Sequence, residues 1–494
     1  METAVTQGQG AGLQAYPRRW LALAVIAIAQ LMVILDATIV NIALPQAQAD
    51  LGISDPDRQW VVTAYTLTFG GLLLLGGRIA DYWGRKRAFI AGAVGFALAS
   101  ALGGLAQHGL TLFAARALQG CFGALLAPAS LALLTVLFTE VHERAKAFAV
   151  YGAITAGGAA IGLLLGGVLT EFANWRWCLL VNVPIAAIAI AAAIPLVPES
   201  RAKGNTRLDV PGAIVVTLGL VSVVYGFTKA ATAGWDAGVT LFYLITGVVL
   251  LGVFVLIQMR SRNPLLPLRI VLDRNRGGAY LASLLTGAGL FGAFLFMTYY
   301  FQATLGYSPL KAGLASLPVT AGVFIAAGAA SQLTPRIGPK PIMVAGGVLA
   351  TAAMLLLTQI GLHTSYATHV FPAQIMLGLG LGSIFVPLSN LALLGVPDHD
   401  AGAASATLNA TQQVGGSLGA ALLNTFFTTA VAAFLTDHLR PGANIPLVQA
   451  EAQVHGYTVA FFWAAVCIAV ATIVMLVLVN ARKSDVQAQP VVPG

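Results

Sequence analysis

The chain has 494 residues, 58% of them hydrophobic and 9% charged, with a net charge of +8 at pH 7 and a mean hydropathy of +0.84. A soluble protein is excluded, because a sequence this apolar has to keep most of its surface in lipid. The basic residues sit in short hydrophilic gaps between apolar runs and form no aromatic-interleaved patch, so the positive charge reads as membrane topology rather than nucleic-acid binding.

The first apolar run, Trp20 to Leu44, is long enough at about 1.5 Å per residue to cross a hydrocarbon core of about 30 Å. It exceeds a signal h-region and no small-residue cleavage site follows it, so it is expected to stay in the mature protein. Asp36 lies deep inside it. An ionisable group at that depth is costly and marks a functional position by default. Further runs follow near 59–80, 88–106, 110–138, 147–170, 177–197, 210–231, 239–259, 278–304, 311–333, 341–361, 370–395, 401–434 and 456–480, which with 19–44 makes fourteen spans. The expected fold is therefore an all-α polytopic membrane protein.

An even number of spans puts both termini on one side. With the N terminus in the cytoplasm, twenty Lys and Arg fall inside, Lys203, Arg207, Arg262, Arg482 and Lys483 among them, against five outside: Arg58, Arg176, Lys229, Lys311 and Arg440. That asymmetry sets the orientation. Arg116 falls within the fourth run. It lies about 9 Å from the outer end of its helix and Asp36 about 12 Å from the outer end of the first, at the same rise per residue. Two opposite charges buried at matched depth are expected to pair, since each alone would be uncompensated. Arginine keeps its proton at working pH, which leaves Asp36 as the group that titrates.

The chain also repeats itself. Phe113 to Leu134 aligns with Phe371 to Leu394, placing Arg116 on Gln374 and Gly120 on Gly378, and a similar offset places Gly158 on Gly415 and Gly162 on Gly419. Two parallel six-helix halves are implied, an arrangement of transporters that rock about a midplane site. The expected organisation is a cytoplasmic tail over 1–18, one bundle over 19–200, an inserted two-helix hairpin over 201–262, a second bundle over 263–482 and a disordered cytoplasmic tail over 483–494.

Between the second and third spans lies GGRIADYWGRKR, Gly76 to Arg87. It resembles the loop signature of the major facilitator superfamily, matched by Gly77, Asp81, Gly84, Arg85, Lys86 and Arg87. LDATIVNIALP at Leu35 to Pro45, RALQG at Arg116 to Gly120 and NWRWCLLVNVP at Asn174 to Pro184 narrow the resemblance to its fourteen-helix drug/proton antiporters. That resemblance implies the major facilitator fold and the export of amphipathic small molecules in exchange for protons. It implies coupling by an acid on the first span with the arginine of RALQG, and a cytoplasmic latch between the halves at Asp81 and Arg85. Gly158, Gly162, Gly166 and Gly167 resemble the antiporter helix motif, with Leu163 where that motif has proline.

Substrate contacts are expected from polar and aromatic side chains within spans: Asn41, Tyr65, Gln119, Phe294, Met297, Tyr300, Asn409 and Gln413. The scarcity of buried acids favours neutral, weakly basic or anionic cargo over multivalent cations. Cys121, Cys178 and Cys467 are too far apart in sequence for a metal motif and read as packing residues. No phosphate-binding glycine loop is present, and the histidines are scattered singly, so neither a nucleotide-driven pump nor a membrane enzyme is supported. No metal and no cofactor are expected, the proton gradient being the driver, and the chain is expected to act as a monomer in the bacterial cytoplasmic membrane. A sensor on a transporter fold, or export of a metabolite, siderophore or lipid precursor, are the alternatives.

Overall fold

The computed structural model describes residues 16–138, 140–201, 209–261, 264–396, 398–441 and 444–481. Residues 1–15 and 482–494 of the two tails, with Lys203, Arg207, Arg262, Arg482 and Lys483, lie outside the described residues. In lipid the backbone has no water to bond, so each apolar run must satisfy its N–H and C=O groups internally, which makes it a helix. In chain order these are α1 (Arg19–Leu51), α2 (Trp60–Trp83), α3 (Arg85–Gly104), α4 (Gly109–Leu137), α5 (Val141–Phe172), α6 (Trp177–Leu180), α7 (Asn182–Leu196), α8 (Val210–Ala233) and α9 (Gly238–Arg260). There follow α10 (Leu268–Val271), α11 (Arg274–Tyr299), α12 (Pro309–Ile337), α13 (Pro339–Leu357), α14 (Phe371–Leu393), α15 (Asp398–His438) and α16 (Ile445–Leu478). Fourteen segments among the described residues are long and apolar enough to cross a membrane, and no strand is present among them.

Several ends differ from the sequence expectation. The sixth span is broken at Val181 into α6 and α7, because Pro184 in the first turn of α7 has no N–H to offer Leu180. α16 begins well before 456, where the Asn444 side chain accepts from Leu447 N and Pro446 pre-sets the first turn. Its first turns are polar, so hydropathy does not register them. α11 runs on through a π-helical turn, Tyr300–Thr304, that ends in the left-handed Gly306.

The two halves are built alike. α5 packs on α1 through glycines: Gly158 faces Leu31 and Ile34, Gly162 the Leu35 carbonyl and Gly166 the Ile39 carbonyl. In the second half α15 packs on α11, with Gly415 against the Leu284 carbonyl and Gly419 against that of Ala288. Removing Cβ atoms lets backbones approach, which is how helices pack when lipid supplies no hydrophobic drive. The sequence repeat thus reflects equivalent helix contacts.

The halves meet through α2 against α15 and α5 against α12. A single hydrophobic core at the outer end draws on both halves, from Leu35, Leu44 and Val61 to Phe296, Tyr300 and Phe427. Towards the cytoplasm the cores separate. One runs from Ala22 to Val197 in the first half, with Ala406 and Ala410 of α15 against it, and another holds Ala282, Ile384 and Met475 in the second. Hydrogen bonds cross the seam in the outer part: Thr66 to Ser417 at 2.6 Å, Gln302 Nε2 to the Ile42 carbonyl at 2.9 Å, Leu310 N to Glu171 at 2.9 Å. The outer side is therefore closed. The inserted pair docks on the α2/α15 seam through α8, with Thr217 of α8 packed on Gly71 and α9 packed on α8.

Candidate functional site

Asp36 is fully buried in the first half and its carboxylate is saturated by donors from two other helices. Arg116 Nη1 of α4 donates to Oδ2 at 2.6 Å, and Oδ1 accepts from Gln119 Nε2 of α4 at 2.8 Å and from Asn182 Nδ2 of α7 at 2.7 Å. The arginine is held in turn: Nε donates to the Val61 carbonyl at 2.9 Å, Nη1 to Gln119 Oε1 at 2.8 Å, and its guanidinium carbon lies 4.4 Å from the centre of the Tyr65 ring. Ser100 of α3 accepts from Gln119 at 2.7 Å. Asp36, Arg116, Gln119 and Tyr65 are thus one centre, joined by Asn182 and Ser100, to which sequence reasoning assigned no role.

Local sequence explains the geometry. Arg116 and Gln119 are three apart and share one face of α4. The helix break before α7 places Asn182 at that helix's first position, its amide directed at Asp36. Gly162 abuts the Leu35 carbonyl, so α5 fixes the backbone of α1 one residue from the acid. Gly167 instead meets Leu310 of α12, and the Leu163 carbonyl lies against Gly313. The glycine motif therefore packs inside one half and across the outer seam.

The loop motif is engaged within its own half. Asp81 Oδ1, near the end of α2, accepts from Arg85 Nη2 at 2.9 Å and Nε at 3.1 Å across the Gly84 turn that separates α2 from α3. Gly84 has φ +122°, which disfavours any side chain, and a Cβ there would meet Glu199. Lys86 N donates to Glu199 Oε1 at 3.2 Å, Lys86 Nζ to the Ile194 carbonyl at 2.6 Å, and Arg87 lies 3.6 Å from Glu199. Glu199, which sequence reasoning did not single out, ties this loop to the end of α7. Gly77 packs on Pro128 of α4. The NWRW stretch closes the outer end: the Trp175 indole and Arg176 both donate to Asp50 of α1, at 3.0 and 2.9 Å.

The remaining candidates are scattered. Asn41 and Asn409 bond carbonyls of their own helices, Ala37 and Ser405, and Asn409 is exposed. Gln413 sits on the α2/α15 seam against Gly70, its Oε1 buried without a partner. Met297 and Tyr300 are buried in the outer core, with Tyr300 Oη donating to the Gly361 carbonyl at 2.8 Å, and Phe294 is half-buried beside them. Arg58, read as an outer topology charge, is 1% exposed. In the cytoplasmic half an open apolar groove runs between α1 and α5, lined by Trp20, Ala27, Leu31, Val150 and Ile154.

The model of the Major Facilitator Superfamily matches residues 26–420. The puromycin resistance protein pur8 of Streptomyces alboniger is 49% identical over 486 residues, covering 98% of this chain and 94% of its own. The cephamycin export protein CmcT of Amycolatopsis lactamdurans is 37% identical over 409 residues, 82% of this chain and 84% of its own. Among solved structures, a bacterial homologue of the human lysosomal transporter Spinster, in an inward-facing and unoccupied conformation, superposes with a TM-score of 0.66 at 15% identity, over 95% of this chain and 98% of that one. At that identity the likeness shows the fold.

Proposed function

Because the chain belongs to the Major Facilitator Superfamily and is a multi-pass transporter of the bacterial cytoplasmic membrane, we propose that it exports amphipathic antibiotic-like molecules in exchange for protons, by alternating opening of its two faces. The observation that carries this reading is the enclosed centre at Asp36, the acid that Arg116, Gln119 and Asn182 bind together. A proton on Asp36 removes the charge that holds Arg116 and turns one acceptor oxygen into a donor, so the network has to rearrange. Since this centre joins α1, α3, α4 and α7, its rearrangement changes how α1 sits against α5, the helix that also meets α12 across the seam. Protonation and the relative tilt of the halves are linked in this way.

In this reading Asp81 and Arg85 act when the cytoplasmic ends meet, exchanging their mutual pair for contacts across the seam. Cargo enters from the cytoplasmic side, where the cores of the two halves are separate and the open apolar groove beside α1 suits a hydrophobic body. The relatives' printed activities, puromycin resistance and cephamycin export, support amphipathic antibiotics as the cargo class. The transporter acts as a monomer and needs no cofactor.

The test is uptake into inverted membrane vesicles with an acid interior, using labelled puromycin and a panel of amphipathic compounds. The unaltered protein accumulates cargo above equilibrium, and Asp36→Asn, which keeps the size and removes the titratable group, does not. A well-expressed Asp36→Asn protein that still drives uphill accumulation overturns the proton switch.

A further inference from the structure

The largest enclosed charge outside the Asp36 centre is Arg58, in the turn before α2. Its guanidinium carbon lies 4.1 Å from the centre of the Tyr299 ring, 4.4 Å from that of Phe427 and 5.7 Å from that of Phe296. All three rings belong to α11 and α15 of the other half. Arg58 Nε donates to Asn424 Oδ1 of α15 at 3.1 Å, and Nη2 has no hydrogen-bond partner. Asn424 reaches back, donating to Gln59 Oε1 at 2.7 Å and to the Asp55 carbonyl at 2.9 Å. The inserted helix α8 closes the cluster from outside: Gln59 donates to Thr228 at 3.0 Å and Thr425 of α15 to the Phe227 carbonyl at 2.8 Å. An arginine of one half therefore fills an aromatic box of the other, and the inserted hairpin is bonded to both.

A guanidinium is suited to this place, being planar, weakly hydrated and able to stack on rings while bonding at its edge. The arrangement has two favourable states. With the seam shut, rings and Asn424 replace water around the charge; with it open, water does so. A half-parted seam removes the rings before water can fully enter, leaving the charge with only its long 3.5 Å contact to Asp55 of its own half. Such a contact resists gradual separation and releases as a unit. We propose that Arg58 is the latch of the outer closure, the residue whose release from the Tyr299–Phe427–Phe296 box lets the outer side open. The proposal rests on the alternating opening proposed above.

The test replaces Cys121, Cys178 and Cys467 and introduces Ser417→Cys, at a buried position of the α2/α15 seam two turns below Asn424. A membrane-impermeant maleimide added outside intact cells labels that cysteine when the outer seam parts. Arg58→Ala raises the labelling rate about thirtyfold, the size expected for losing a desolvated cation–π contact, and Arg58→Lys gives an intermediate rate. Tyr299→Leu probes the box from the other half, which keeps the proposal testable if Arg58→Ala is not recovered in the membrane. Combining it with Arg58→Ala adds only what Tyr299→Phe, which loses the Tyr299 hydroxyl's bond to Gln48 of α1, does alone. A control cysteine at Ala350, buried inside the second half, stays unlabelled. Labelling of that control as well would show general loosening and overturn the latch. Parent labelling that is measurable and unchanged by Arg58→Ala or Tyr299→Leu overturns the latch while leaving alternating opening intact. If neither the parent nor any variant is labelled, the outer side does not open, and alternating opening fails together with the latch.

Discussion

The two halves share a scaffold and differ at its centre. In the first, Gly162 rests on the Leu35 carbonyl, so the next residue, Asp36, faces α4 and α7, where Arg116 and Asn182 meet it. In the second, Gly419 rests on the Ala288 carbonyl, and the next residue is Gly289, packed against Ala464 and Ile468 of α16. Arg116 has its counterpart in Gln374, whose Oε1 and Nε2 are both buried without a partner. The glycine contacts that bring the helices together occur twice, whereas the charges occur once. Burying an acid and a base in lipid is justified by function and not by packing, so in the proposed exchange the first half carries the proton-binding element and the second serves as the body it moves against.

The most severe way to break this difference is Asp36→Ala. It leaves the Arg116 guanidinium buried without its carboxylate, a loss of about 3–5 kcal/mol for a pair of this kind. The expected outcome is a sharp fall in the amount of protein in the membrane and in its melting temperature in detergent. Arg116→Leu added to Asp36→Ala recovers much of both without restoring uphill uptake. A smaller effect comes from Asn182→Ala, which removes one of the three donors on the carboxylate. A hydrogen bond to a charged group contributes about 1.5–3 kcal/mol, so the variant should insert, melt lower and accumulate less cargo at a fixed gradient. Uptake equal to that of the parent would show that Asn182 packs α7 and has no part in the switch.

How far the sequence carries can be judged at these same residues. The depth of Asp36 and Arg116 follows from their distance to span ends at a fixed rise per residue, and their pairing follows from the cost of leaving either alone, so both were legible. The glycine stripe and the internal repeat were legible for the same reason, since close helix approach imposes small residues at fixed spacing. Asn182 was not, although it lies in a stretch that drew attention: a continuous sixth span gives no reason to direct its amide at Asp36, and the break at Val181 does. Pro184 was the available signal. Arg58 was placed at the correct, outer end but its burial was missed, because hydropathy sees an arginine next to an apolar run and reads a solvent-facing charge. Its rings stand more than two hundred residues further along the chain, on helices that only the tertiary fold brings to it.

The gentlest probe of the comparison is Gln374→Leu. Gln374 is 1% exposed, between Ala373 and the rest of the α14 core with Leu377 one turn on, and neither atom of its amide is bonded. A buried amide left unsatisfied costs about 1–3 kcal/mol relative to a bonded one, and replacing it by an apolar side chain of similar length removes that cost. If the second half is a passive body, Gln374→Leu raises the melting temperature slightly or leaves it unchanged, and uphill uptake continues at the parent rate. The same chemical change in the first half, Gln119→Leu, takes a donor from Asp36 and an acceptor from Arg116, and uptake should fail there. The contrast between these two glutamine changes, made on equivalent helices and measured in one vesicle assay, isolates the charge centre from the scaffold. Loss of transport in Gln374→Leu at normal protein level would mean that the orphaned amide meets cargo or water during the cycle, and the second half would then have to be given a chemical part of its own.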